Sequence, residues 1–145
     1  MKYNPHSYIS RETAAARMKE AMTKAGFERA AKEDTPRFCR EEVWERHVGE
    51  VSPDGTGHFI RIFTSIEGGE FRSAGKDAIR VCPVVRERVP SKRDPGTTYI
   101  RTRGISRMRR VNRTGKIEDI VSRVMDRARD AYKAAREDAR TAKAA

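Results

Sequence analysis

Ten cations crowd residues 86–113 of this 145-residue chain, a stretch that reads RERVPSKRDPGTTYIRTRGISRMRRVNR. They are Arg86, Arg88, Lys92, Arg93, Arg101, Arg103, Arg107, Arg109, Arg110 and Arg113. Only two acids, Glu87 and Asp94, stand against them, so the stretch holds +8 of the chain's net +11. A fold has no internal use for so many guanidinium groups in one place, and the imbalance points to a partner of opposite charge. All but Lys92 are Arg, whose planar fork suits phosphate and stacks on bases. Within TTYIRTR (residues 97–103) strand alternation puts Tyr99, Arg101 and Arg103 on one face and Thr98, Ile100 and Thr102 on the other. An aromatic platform beside a cationic track is a common way to hold a single strand. Two other readings stay open: core packing for Tyr99, and a solvated loop or charge-protected edge strand for the cations.

Other chemistries find less support. His6, His47 and His58 are dispersed, and Cys39 and Cys82 lie 43 positions apart, so no metal-ligand spacing exists and no metal or cofactor is expected. A lone His beside a turn, as His58 is, reads as a surface residue. Asp54, Glu67, Glu70, Lys76 and Asp77 are the set a metal-dependent nuclease would draw on, but they lack the compact acid-x-Lys pairing on a strand. GEFRSAGK (residues 69–76) lacks the GK[ST] ending of a phosphate-cradling loop. Helix-turn-helix, zinc-finger and RNP patterns are also missing, so sequence-specific duplex readout is not expected.

Positioning these groups requires a scaffold, and the sequence outlines one. Ser10 can cap a helix running to about Ala25, with Ala14, Ala15, Met18, Met22 and Ala25 along one side. Gly26 supplies a left-handed stop, and Phe27 can fold back on Met22. Residues 28–37 form a polar connector with room for another helical turn. Residues 38–51 read as helix or strand; a hairpin of roughly 44–51 with 58–66 is favoured, joined by the turn SPDGTG. EGG (67–69) turns again. Residues 77–88 form a strand in which Pro83 demands an edge position or a bulge. VPSKRDPG is a loop, 97–103 a further strand, and SRMRR (106–110) could continue as a flexible arm. Thr114 caps a long helix from about Lys116 to Ala139 or beyond, with Ile117, Ile120, Val121, Val124, Met125, Ala128, Ala131, Tyr132, Ala135 and Ala139 in one stripe.

The expected fold is therefore α+β: an N-terminal helix, an antiparallel three- or four-stranded sheet, and a long C-terminal helix packed on the sheet. One domain over 1–145 is expected, with a helical segment at 1–35, the sheet at 38–110 and the helix at 114–145. Hydrophobic and charged residues each make up 37%, which implies a lean core. Small-residue faces on both terminal helices suit a neighbouring subunit, making a homo-oligomer, or close pairing within one subunit. No apolar run reaches membrane-spanning length and the N-terminus lacks a signal-like segment, so no membrane partner is expected. Unclustered cysteines fit a reducing cytoplasm.

The runs FIRIFTSI (59–66), GKDAIRVCPV (75–84) and RTGKIEDIVSRV (113–124) resemble a small uncharacterised prokaryotic and phage family. In element order the chain is also similar to the core of single-strand annealing recombination proteins. That likeness implies assembly into rings or helices, ATP-independent binding of single strands, and a basic groove lined by Arg101, Arg103 and their neighbours. The function expected is non-sequence-specific single-stranded DNA binding or annealing in phage or bacterial recombination, with RNA as an alternative ligand. A structural role in a nucleoprotein or phage particle is the alternative class, and a metal-dependent nuclease the third.

Overall fold

The computed structural model describes residues 11–30, 42–64, 78–112 and 116–144. In chain order these form α1 (Arg11–Lys24), β1 (Glu28–Arg29), β2 (Glu42–Val48), β3 (Gly57–Thr64), β4 (Ala78–Pro90), β5 (Thr98–Gly104), β6 (Arg109–Asn112) and α2 (Ile117–Ala144). The strands make one antiparallel sheet in the order β1-β2-β3-β4-β5, and β6 pairs with β4. The α+β architecture is as expected, but the sheet is wider than three or four strands. The additions are short: Glu28–Arg29, in the segment read as a polar connector, pairs with Glu45 and Trp44. Arg109–Asn112 pairs with Ala78–Val81, so the end of SRMRR is strand and not a free arm.

Each element follows from local chemistry. At the end of α1, Phe27 N–H donates to Met22 O (2.9 Å) and Gly26 N–H to Thr23 O (3.0 Å). That is the paired C-terminal bonding that needs a left-handed residue, and Gly26 takes φ 88°. Phe27 and Met22 are both buried in the core. The proposed cap Ser10, the turn at 67–69, and Thr114 fall outside the described residues. SPDGTG closes the β2–β3 hairpin, with Asp54 Oδ1 accepting from Thr56 N–H (3.0 Å) and its hydroxyl (2.7 Å).

Register decides which face each strand residue occupies. Trp44 opposes Ile62, Ile62 opposes Val81, and Ile79 opposes Val111. These residues share one face and join a single core with Met18 and Met22 of α1 and with Ile117, Ile120, Val124, Ala128, Ala131 and Ala135 of α2. The Ala stripe of α2 is thus covered within the chain, with Ala131 and Ala135 at 0% exposure. His58 is not a surface group: its Nε2 lies 2.9 Å from Asp138 Oδ2, tying the start of β3 to the last third of α2. Among the described residues no helix is long and apolar enough to cross a membrane.

β4 is the element that positions the basic stretch. Its pairing with β3 ends at Arg86 opposite Gly57, yet it runs on to Pro90 paired with β5 alone. A two-stranded ribbon therefore projects past the rest of the sheet, and every residue of β5 is exposed. On the same side of β4, β5 stops at Gly104 opposite Val84 and β6 starts at Arg109 opposite Val81. The interruption falls at Pro83, which has no N–H to offer there; its carbonyl accepts from Ile105 N–H (3.0 Å).

Candidate nucleic-acid interface

The ten cations separate into two groups once the strands are placed. On the ribbon, Tyr99, Arg101 and Arg103 do share a face, opposite Val89, Glu87 and Val85 respectively. Tyr99 is half exposed, at 50%, which leaves its ring available for stacking. The two arginines are already occupied: Arg101 donates from Nε (3.0 Å) and Nη2 (2.8 Å) to Glu87 Oε1, and Arg103 Nε donates to the same oxygen (3.1 Å). Hydrogen bonds from Arg101 and then Arg103 hold the Glu87 carboxyl below the usual glutamate range.

On the other face of the ribbon the cations are also paired. Arg88 donates from Nε to Asp54 Oδ2 (3.3 Å) and from Nη1 to Thr98 Oγ1 (3.1 Å). The Asp54 carboxyl lies below its ordinary range, mainly because the Thr56 hydroxyl bonds to it. Asp54, the one described member of the nuclease set, is therefore a turn-forming residue. Arg86 is inward: its guanidinium bonds Glu45 and lies 4.5 Å from the Phe59 ring centroid. Glu45 Oε1 also accepts from Arg61 Nη2 (3.1 Å). Arg61 is 4% exposed and belongs to this buried network. Lys92 and Arg93 sit exposed in the ribbon's end loop, where Ser91 N–H donates to Thr97 O (3.0 Å) and Gly96 turns with φ 90°.

The second group gathers at the interruption between β5 and β6. Ser106, Arg107, Met108, Arg109, Arg110 and, from α2, Arg127 line an open recess. Arg109 Nη1 donates to Ser106 Oγ (3.1 Å) and to Arg107 O (3.0 Å), which shapes the link. Among the described residues none of the four arginines has an ion pair and no carboxylate lines the recess. An incoming phosphate meets guanidinium forks there without displacing an acid. Arg127 was not singled out from sequence; its only signal is a cation flanking the apolar stripe of α2. Arg113 lies outside the described residues.

Two further groups bear on reactivity. Burial pushes the Cys82 thiol up, against the opposing charges of Arg80, Arg61 and Arg109, so it is not an activated nucleophile. Among the described residues no three His, Cys, Asp or Glu side chains converge to hold a metal ion. No protein-family model, curated protein or solved structure matches the chain, so its functional reading rests on its own geometry.

Proposed function

We propose that this protein binds single-stranded nucleic acid without sequence specificity, DNA first and RNA as the alternative. The observation that carries the reading is the recess of Arg107, Arg109, Arg110 and Arg127, four cations converging with no acid among the described residues of the lining. In this reading phosphates anchor there and the strand continues along the ribbon, where Tyr99 stacks on a base and Lys92 and Arg93 add charge. A single strand is favoured over duplex because a projecting ribbon with one exposed ring can reach unstacked bases. Annealing is the most concrete form of this activity, and it needs copies side by side. The Ala face of α2 is used within the chain, so that contact would use another surface, such as the outer edge of β5.

Salt-dependent binding tests the proposal. A labelled oligothymidylate should bind more tightly than a duplex of equal length. Between about 50 and 200 mM salt its affinity should fall with a log–log slope of about 0.7 per neutralised phosphate. Replacing Arg107, Arg110 and Arg127 with Gln should flatten that slope by about 2. A flat salt dependence, or equal affinity for duplex, overturns it.

A further inference from the structure

On the flank of α2 away from Arg127 lies a groove of different character. Ala25, Met125 and Tyr132, which overlie the buried Phe27, Ile60 and Ala128, give it an apolar floor, and Arg46, Arg129, Lys133 and Arg136 form its rim, with no carboxylate among the described residues of the lining. The geometry points to a docking site for an acidic peptide segment that carries one bulky apolar residue. This goes beyond nucleic-acid binding and does not rest on it.

The groove is built, and its cations are available. Arg46 lies over the Tyr132 ring, its guanidinium 5.4 Å from the centroid, and passes beside Gly26. Lys133 and Arg136 are exposed and have no ion pair among the described residues, whereas Arg129 pairs with Asp126. From Arg129 to Arg136 the helix rises about 10 Å, the span of roughly three extended residues. Cations spread over that distance suit several carboxylates along a chain better than one compact head group. The groove's volume, about 660 Å³, accommodates a large side chain with its flanking backbone.

Charge alone would equally attract nucleic acid, but the groove lacks what a base needs. Arg46 lies over the Tyr132 ring, and Phe27 is 3% exposed, so no open aromatic face is presented. A peptide uses the site fully: its apolar side chain covers the floor and its acids meet the rim.

Fluorescence anisotropy with a labelled peptide of Asp and Glu around a single Leu tests this directly. The peptide should bind, and replacing its Leu with Ser should weaken binding about tenfold, through loss of the apolar contact. Lys133→Glu with Arg136→Glu, both at exposed positions, should abolish peptide binding and leave oligothymidylate binding unchanged. Arg107→Glu with Arg110→Glu should leave peptide affinity intact, which separates this site from the recess. Absence of binding, equal binding of the Ser peptide, retention of peptide by the Lys133/Arg136 variant, or loss of oligothymidylate binding in that variant would each overturn the proposal.

Discussion

The ribbon and the recess draw their cations from the same basic stretch, yet the fold treats them differently. On the ribbon Arg86, Arg88, Arg101 and Arg103 each meet a carboxylate: Glu45, Asp54 and, for the last two, Glu87. In the recess Arg107, Arg109 and Arg110 meet none among the described residues, and α2 adds Arg127. A count of charges along the chain treats the two regions alike. The capacity to take a phosphate depends on which guanidinium groups are still without a carboxylate after folding, and on that measure the recess exceeds the ribbon.

The largest effect should come from breaking a pair at the base of the ribbon. Glu45→Ala leaves Arg61 and Arg86 buried without their shared carboxylate, and loss of one partner of a buried pair costs about 3–5 kcal/mol. Denaturant unfolding should report that loss; an unchanged midpoint would mean Arg86 is a surface charge after all, and the distinction between the regions would weaken.

Next in size is charge reversal of the recess. Arg107→Glu, Arg110→Glu and Arg127→Glu together should weaken oligothymidylate binding by about ten- to a hundredfold while leaving the melting temperature within a few degrees of wild type. If instead Arg101→Gln with Arg103→Gln produced the larger loss, the ribbon would be the principal anchor.

A smaller change, of opposite sign, isolates the role of the acid. Glu87→Gln frees two guanidinium groups on the face of Tyr99. Because surface pairs are worth about 0.2–1 kcal/mol, affinity should rise by roughly two- to fivefold. A weaker complex would show that Glu87 positions the two arginines productively and does not compete with phosphate.

The smallest effect is a titration. The folded carboxyl of Glu87 is depressed, so its contribution to stability is complete above the ordinary glutamate value of 4.5 and is lost as pH falls through the lower folded value. Carbon-detected NMR should find Glu87 titrating below a glutamate in an unstructured peptide. Arg101→Gln with Arg103→Gln should return it toward that reference; no movement would remove the arginines as the cause.

Much of the scaffold was legible because it depends on neighbours in sequence. The Gly26 stop, the alternation of Tyr99, Arg101 and Arg103, the edge position or bulge demanded by Pro83 and the stripe of α2 all follow from spacings of a few residues. Two short strands were not legible, since Glu28–Arg29 and Arg109–Asn112 carry no strand pattern of their own and exist by pairing with longer neighbours. His58 read as a surface residue because its partner, Asp138, is 80 positions away.

Sequence by itself determined the elements, their apolar faces and the place where positive charge accumulates, because helix and strand periods and local charge density are properties of short windows. Tertiary structure alone decided which charges remain available. Glu45 reaches Arg86 across 41 positions and Asp54 reaches Arg88 across 34, while Arg127 comes from another element to complete the recess. The physical reason is one of range: an ion pair acts over a few ångströms in space, and strand register and helix packing set which side chains come that close.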